Sequence, residues 1–526
     1  MPLDENPAEN AGSGEDTLFP GNVDIVMTGT MWRALRLHLL PPSTKPSSSP
    51  DEQLAFLLAS GNRSERRQRL LVREMLPSSP NDLLRQGPMG IAPRPEFVLH
   101  ALNRCRDESL HLIEVHSHPF SRGAGTTFSA IDWQNDREKM HSLATLVENF
   151  IHVTMVIGQD SLDAHYYDRD SGQILPIQQL VVVGTGDERA SSGLRHMPTT
   201  STRQQLPADE ADTNSRYHRQ ELIFGREIQQ QLGNITVAVV GLGGLGSFVA
   251  LELAHLGIGR LILIDSDRVE ESNLNRLLGA EPADIGQTKV SVYERLVRRL
   301  APTTGIETIP SSIMDEAALA LAKGADILVG CVDNHGARLI LNQLAIRYLI
   351  PLVDGGSGIK QASNHTPLSA GGQVQVVLPG IGCLECRGFI DMRRATFDLA
   401  PPGLQMEERA HGYGLYEPVP TVIFLNGVIG SAMVAEIVFL LTGGDVKLPK
   451  PVPPISLYSA FDRSLLAMES HESPDCPTCG SEGVLGVGDL AAVHSAAFAS
   501  TVSSVAEDIP QNPSSPLRKN KRRADC

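Results

Sequence analysis

The sequence predicts an α/β protein of two domains. The N-terminal one is a compact α/β unit; the C-terminal one is a doubly wound, Rossmann-like sheet closed by a four-cysteine zinc knot. Three observations predict this. A glycine loop, Gly241-Leu-Gly-Gly-Leu-Gly246, joins the apolar strand Val237–Val240 to a helical pattern. Two CxxC pairs, Cys383/Cys386 and Cys476/Cys479, stand 89 residues apart. An apolar strand in the N-terminal third ends in His116-Ser-His118.

The glycine loop comes first. Gly241, Gly243, Gly244 and Gly246 let backbone approach a phosphate, and the helix N-terminus behind them supplies N–H donors and a positive dipole. A second apolar strand, Leu261–Ile264, ends in Asp265, 21 residues past Gly244, where an acid can hold ribose hydroxyls. These residues alone fit any NAD or FAD enzyme. The next segment narrows the choice. Ser272-Asn-Leu-Asn-Arg276 and then Lys289 put cations beyond the ribose site. A nicotinamide has no use for them, whereas a triphosphate attacked at its α-phosphorus does.

The stretch resembles the ThiF/MoeB/HesA family of adenylating enzymes, related to ubiquitin activation, over roughly Arg216 to Gly480. Arg216-Tyr-His-Arg-Gln220 is similar to the family's opening motif, whose second arginine, here Arg219, reaches nucleotide phosphates, often across a dimer. Asp333-Asn334, after the strand Asp326–Gly330, matches the pair that handles magnesium. The resemblance implies that Gly244, Asp265, Asn273, Arg276, Lys289 and Asp333 bind ATP–Mg2+. Arg276, Lys289 and Asp333 would serve the chemistry.

Thiolates at CxxC spacing can share a tetrahedral zinc, and four of them leave no open position for catalysis. Such a site contributes folding free energy on the order of 10 kcal/mol. A redox pair or a disulfide also fits two cysteines, but a redox motif needs one pair rather than two. The resembling family carries a zinc knot at the matching places. Members that form a thioester have a cysteine between the pairs; Arg387–Asp475 contains none, and Glu417-Pro-Val-Pro-Thr-Val422 has prolines there. Of the other cysteines, Cys331 ends a strand and reads as core, Cys105 has no assigned role, and Cys526 is the last residue.

In the N-terminal domain, Leu110–Asp132 runs LHLIEVHSHPFSRGAGTTFSAID. Histidines at i and i+2 project from one strand face, and Asp132 completes three ligands. Three protein ligands plus water is zinc's catalytic arrangement, which lowers the pKa of water from 15.7 to about 7. The segment resembles the JAB/JAMM (MPN+) metallopeptidases, although the loop between His118 and Ser129 is three residues longer than in that pattern. The resemblance implies that His116, His118 and Asp132 bind zinc, that Ser129 stabilises an oxyanion, and that an upstream glutamate acts as base. Glu52, just before the apolar run Leu54–Leu58, fits that place best; Glu65, in a charged turn, and Glu74, ending a second strand, are alternatives.

Composition sets the remaining bounds. The 526 residues are 41% hydrophobic and 20% charged, enough for two buried cores. A formal charge of −16 argues against nucleic-acid binding as the main function. Met1–Asp16 is acidic and lacks an apolar core, so a signal peptide is not expected. Val422–Leu441 is apolar enough to look membrane-like, but Asn426 and Glu436 favour a buried or dimer-interface helix, and no membrane partner is expected. Sparse cysteines in metal spacing suit a reducing, cytoplasmic setting. The expected organisation is an unstructured N-terminus (1–16), a JAB-like domain (17–185), a linker (186–215), a ThiF-like domain (216–482) and an unstructured tail (483–526).

The implied activity is ATP-dependent adenylation of the C-terminal carboxylate of a ubiquitin-like or sulfur-carrier protein ending in glycine. It is joined on one chain to zinc-dependent cleavage beside that terminus. The cofactors would be ATP, Mg2+, one structural Zn2+ and one catalytic Zn2+, and the adenylation domain would form a homodimer. Adenylation of a peptide or small-molecule carboxylate, or a non-catalytic scaffold, are the rival readings.

Overall fold

The computed structural model describes residues 22–42, 50–88, 90–123, 125–146, 150–184, 194–203, 216–361, 367–401, 403–406, 420–442, 454–469 and 472–490. The N-terminus expected to be unstructured, Cys526, and residues 417–419 of Glu417–Val422 lie outside the described residues.

In chain order the N-terminal body has β1 (Val23–Thr28), α1 (Gly29–Leu39), β2 (Leu54–Arg63), β3 (Gln68–Pro77), β4 (Leu83–Gly87), β5 (Gly90–Pro93), α2 (Pro95–Glu108) and β6 (His111–Ser117). It continues with α3 (Ala130–Leu146), β7 (His152–Ile157), β8 (Leu162–Asp168), β9 (Gln173–Pro176), β10 (Gln179–Val183), β11 (Leu194–Pro198) and α4 (Thr200–Arg203). Nine strands form one mixed sheet, ordered β11-β10-β1-β3-β2-β6-β7-β8-β9, with β4–β5 a separate hairpin. Alternation along the strands sorts the two faces. Ile25, Met27, Leu57 and Leu70 point to the α1 side with Trp32 and Leu35, while Phe56, Leu58 and Leu112 point to the α2 side with Ala101 and Cys105. The β2–β6 register pairs Leu54 with His116, which fixes where the histidines emerge.

The C-terminal body has α5 (His218–Phe224), α6 (Arg226–Asn234), β12 (Thr236–Val240), α7 (Gly244–Leu256), β13 (Arg260–Ile264), α8 (Lys289–Leu300), β14 (Gly305–Ile309), α9 (Glu316–Ala322), β15 (Ile327–Gly330) and α10 (His335–Tyr348). Then come β16 (Leu352–Gln361), β17 (Pro367–Val377), α11 (Met392–Leu399), α12 (Ile423–Thr442), β18 (Ile455–Ser459) and β19 (Ser464–Met468). The sheet runs β14-β13-β12-β15-β16-β17-β18-β19. Its first five strands are parallel, and β17, β18 and β19 extend it antiparallel. From β12 the chain winds outward to β13 and β14, then returns to β15 on the other side. That reversal opens a crevice at the carboxyl ends of β12 and β15, where open α/β sheets bind ligands. The apolar run expected to be a core or interface helix is α12. Half of its most apolar stretch is buried. Met433 packs on Gly355 of β16, and Ile429 on Gly372 of β17.

Two boundaries differ from the sequence expectation. Leu194–Pro198, placed in the linker, is β11, paired antiparallel with β10 and buried at Leu194. Its five residues sit among Ser, Thr and Gly, which hid the strand pattern. The tail expected from Gly483 is packed as far as Leu490. Ser60 Oγ donates to the Gly486 carbonyl at 2.6 Å, and Asp489 accepts from Arg63 N, Lys323 Nζ and Tyr348 Oη, each at 2.9 Å. Val484 and Leu485 also pack on the main core, in a run too short and Gly-rich to show a period.

The two bodies also share a core. Val26, Leu71, Val181, Val183 and Leu194 lie in the same buried cluster as the strands of the C-terminal sheet. Beside them, Arg69 and Arg67 of the N-terminal body reach Asp326 at 2.5 and 2.8 Å, and Asp326 also accepts from Thr236 N at 2.8 Å.

Candidate active sites

At the crevice of the C-terminal sheet, the backbone explains the glycines. Gly241 has φ +89°, and a Cβ there would sit 2.5 Å from the Cys331 carbonyl oxygen. A Cβ on Gly246 would meet the Gly241 oxygen at 1.8 Å, and one on Gly244 would meet Asn426 Nδ2 at 2.2 Å. Backbone packing therefore requires Gly241 and Gly246, while Gly244 makes room for the Asn426 side chain. Gly243 is different: its Cβ position faces open space, and as N-cap of α7 it has no side-chain cap. The first N–H groups of α7 are left for a ligand.

Asp265 closes β13 and is nearly buried. One oxygen accepts from Leu242 N at 2.6 Å, fixing the glycine loop, and the other from Asp267 N at 2.7 Å. Burial raises its carboxyl, while Lys289 and these backbone donors pull it down. Lys289 opens α8 and bonds Asp267 at 2.7 Å, with Asp265 at 3.9 Å. Arg276 bonds the Ser272 carbonyl at 2.7 Å, and its stem lies 3.4 Å from the Cβ position of Gly244. Asn273 sits in the short turn Glu271–Asn273 and donates to Ser272 Oγ. Asp333 lies two residues beyond Cys331, whose N–H bonds the Val240 carbonyl at 2.8 Å. The loop bearing Asp333 therefore adjoins the glycine loop.

Two expected residues stand differently within this chain: one is a helix cap, the other lies away from this chain's own glycine loop. The side chain of Asn334 caps α10, accepting from Ala337 N at 2.7 Å. Arg219 lies on exposed α5 at the far end of α7: Tyr217 packs on Gly257 and Gln220 bonds the His255 carbonyl. That is about 20 Å from Gly243 along a helix of this length.

The sequence reading missed three supporting groups. Arg338 joins buried Asp354 at 3.0 Å and donates to the Val332 carbonyl at 3.1 Å, bracing the loop before Asp333. Asn426 of α12 accepts from Ser357 and Thr421 hydroxyls at 2.6 and 2.8 Å, which turns its amide nitrogen toward Gly244. An asparagine inside an apolar helix was the available signal.

The four cysteines of the two CxxC pairs converge. Cys386 and Cys479 Sγ are 3.2 Å apart, Cys383 and Cys476 3.7 Å, and Cys383 and Cys386 3.9 Å. These are contacts between free thiols and exclude disulfides. A hydrogen bond from Cys479 holds Cys383 down to about 5, and the same contact pushes Cys479 up. The set fits a tetrahedral zinc. Burial raises the Cys331 thiol, as suits a core residue rather than a nucleophile.

In the N-terminal body His116 ends β6 and His118 follows it. His116 Nε2 lies 3.8 Å and His118 Nε2 3.6 Å from the two oxygens of Asp132 on the first turn of α3. Ligand atoms of all three lie within 4.8 Å of one another. His116 Nε2 is buried without a hydrogen-bond partner, the state of a donor atom awaiting a metal. The donor set therefore fits zinc. Burial alone would raise the Asp132 carboxyl, but the two nearby histidines and the hydrogen bond from Ser129 hold it well below the carboxylate range. Ser129 and Asp132 form a reciprocal cap: Ser129 N donates to the carboxylate at 2.8 Å, and Ser129 Oγ accepts from Asp132 N at 3.2 Å.

Glu52 belongs to this site. Gln53 N donates to Ser117 Oγ at 2.9 Å and Ser117 N to the Gln53 carbonyl at 3.0 Å, which brings Glu52 beside the two histidines. Burial raises its carboxyl, and the charges of His116 and His118 oppose that. Glu65 sits in the β2–β3 turn at the other end of the strand, and Glu74 pairs with Arg104 at 2.7 Å. Neither reaches the histidines.

Together, the strand order, the glycine loop and Asp265 define a Rossmann-type nucleotide-binding body. Comparison with known proteins gives its family: residues 217–478 match the ThiF family, so the C-terminal body is a ThiF/MoeB-family adenylyltransferase domain. Among curated relatives, the sulfur carrier protein adenylyltransferase of Thermus thermophilus is 37% identical over 27% of this chain and 52% of its own. The sulfur carrier protein ThiS adenylyltransferase of Escherichia coli is 29% identical over 43% of this chain and 81% of its own. The adenylyltransferase and sulfurtransferase UBA4 of Candida albicans is 28% identical over 48% and 53%. The chain thus spans about half the length of the first and last of these. A solved structure of E. coli MccB with ATP is similar over 52% of this chain and 76% of its own, at 24% identity and a TM-score of 0.41.

Proposed function

We propose that the C-terminal body adenylates the C-terminal carboxylate of a small ubiquitin-like or sulfur-carrier protein. The observation that carries this reading is the convergence of Lys289, Arg276 and the uncapped start of α7 on one crevice, in a domain whose relatives act on such proteins. A carboxylate oxygen forms a bond to the α-phosphorus of ATP as the bond to the bridging oxygen of pyrophosphate breaks. Arg276 and Lys289 offset the charge that builds on the phosphate oxygens, and Asp333 binds the magnesium carried by the nucleotide. Lys289 leaves Asp267 to do so. Arg219 is too far from its own glycine loop, so it serves the site of a second copy in a homodimer. The test is ATP–pyrophosphate exchange that depends on a carrier with an intact terminal glycine.

The N-terminal body, on the same proposal, cleaves the peptide or isopeptide bond that follows the carrier's terminal glycine. His116, His118 and Asp132 hold zinc, whose chemistry is to make water a nucleophile near neutral pH. Glu52 accepts the proton of the attacking water and passes it to the leaving amine; burial raises its carboxyl, which favours its taking that proton. Ser129, at the start of α3, offers its hydroxyl to the oxyanion. Incubation with a fusion of the carrier to a following polypeptide tests this: cleavage after the terminal glycine supports it, and an uncut fusion with zinc-loaded enzyme refutes it.

A further inference from the structure

Helix α3 carries Asp132 to the two histidines, and beside its buried apolar Met140 and Leu143 it turns a polar stripe to the sheet. Asp132, Asp136 and Lys139 stand at i, i+4 and i+7, one stripe along the helix. Below Asp132, each of the other two meets a buried partner on the sheet. Asp136 bonds His165 of β8 at 3.0 Å, both side chains almost wholly buried. Lys139 forms an ion pair with Glu114 of β6, and Glu114 also faces His152 of β7 at 3.7 Å. Trp133 stacks on the His165 ring at 4.5 Å and 12°, locking that imidazole from the side. The sheet side is in register. Thr154 pairs with both Glu114 and His165, and Glu114 shares a strand face with His116 two residues on.

This arrangement solves a problem of register. This helix bears two identical carboxylates one turn apart. A slide of one turn, about 5.4 Å, would carry Asp136 to the place of Asp132. Nothing in the chemistry of the histidines would distinguish them. The cation at position 139 does. In the observed register Lys139 meets Glu114 and Asp136 meets His165; after a slide, Lys139 would leave Glu114 buried without its lysine, an arrangement buried carboxylates disfavour.

We propose that Asp136 and Lys139 are positioning residues. They fix the register of α3 on the sheet and so set Asp132 against His116 and His118. The inference rests on the reading of that trio as a metal site, and it adds what controls the affinity of the site. Neither residue touches the metal or the substrate.

The test uses the full chain with its cysteine knot filled, titrated with Zn2+ and, separately, with Co2+ at the histidine site. His116→Ala identifies the binding event by abolishing it. Lys139→Met and Asp136→Asn should each weaken this metal by about 10- to 100-fold, the range for lost outer partners of metal ligands. Each should also change the visible Co2+ spectrum, which reports the ligand geometry and which a purely structural role would not move. Lys139→Arg, which keeps the cation, should retain the wild-type spectrum. ATP–pyrophosphate exchange serves as the folding control. Wild-type affinity and spectrum in both Lys139→Met and Asp136→Asn would overturn the proposal. If Lys139→Met does not fold, Asp136→Asn decides alone. A wild-type protein that binds no metal sensitive to His116→Ala would instead overturn the metal-site reading, and this inference with it.

Discussion

Replacing Asp326 by alanine should be among the most damaging single changes outside either site. Asp326 begins the approach to β15, is 7% exposed, and accepts from Arg67, Arg69 and Thr236 N. Burial pushes Arg69 down to about 10 even with this carboxylate beside it, so desolvation weighs heavily on the pair. Its weight lies in breaking one half. Asp326→Ala leaves two largely buried guanidiniums facing only Asp24, which is 3.5 Å from Arg67. Uncompensated buried charge of this kind costs about 3–5 kcal/mol. The two bodies share a core, so the loss should appear in the main denaturant transition rather than in a minor early one. The pH dependence supplies a second reading. Burial would raise Asp326, but the two arginines hold it down to about 2, below the usual 3.8. A carboxylate with a depressed folded value contributes stability that is present above about pH 4 and lost as pH falls toward 2, here about 2–3 kcal/mol. Asp24, raised by burial, works the opposite way and relieves part of its cost on protonation. Chemical denaturation at pH 6 and pH 3 should therefore show wild type losing more stability on acidification than Asp326→Ala. A difference under 1 kcal/mol at pH 6, with parallel acid limbs, would refute the buried-charge argument.

Three other outcomes are expected. Asp333→Ala or Arg276→Ala should lower ATP–pyrophosphate exchange by at least about 100-fold, the scale of a transition-state charge contact, with the protein still folded; near wild-type exchange in both would sink the nucleotide-site assignment. Cys383→Ser combined with Cys476→Ser should remove one tightly held zinc per chain by metal analysis and lower thermal stability; an unchanged zinc content counts against the knot. Glu52→Gln should keep zinc yet slow cleavage of a carrier fusion by about 100-fold or more, whereas His116→Ala should lose metal and cleavage together; normal cleavage by Glu52→Gln would remove Glu52 from the base role.

The parts of the molecule legible in sequence are those whose chemistry is local. Gly241 to Gly246, the CxxC pairs and His116-Ser-His118 each place several groups within a few residues, and backbone geometry alone brings those groups together. Glu52 needed one further step, the β2–β6 pairing, and the apolar run after it supplied the strand. Boundaries fared worse. β11 and the segment 484–490 are held by backbone pairing, by Asp489 and by a few apolar contacts, too few to leave a period. Asn334 shows a different limit. An asparagine before a helix is both a plausible metal partner and a helix cap, and only the bond to Ala337 N separates the two uses.

What the sequence hid altogether is pairwise and distant. Arg69 and Asp326 are 257 positions apart. Glu114 and Lys139 are separated by the extended Gly-rich loop and by half of α3. Each partner, taken singly, reads as an ordinary surface charge, because its burial follows from a docking that no local pattern records. The consequence for this protein is specific. Motifs identified the atoms that would do chemistry, while the atoms that hold them in place lie on other elements: Arg338 behind the Asp333 loop, Asn426 against Gly244, Lys139 beneath Asp132. Substituting a motif residue asks whether the chemistry is there. Substituting its support asks whether the geometry is needed. A mere likeness of motif would survive loss of the support, and a working site would not.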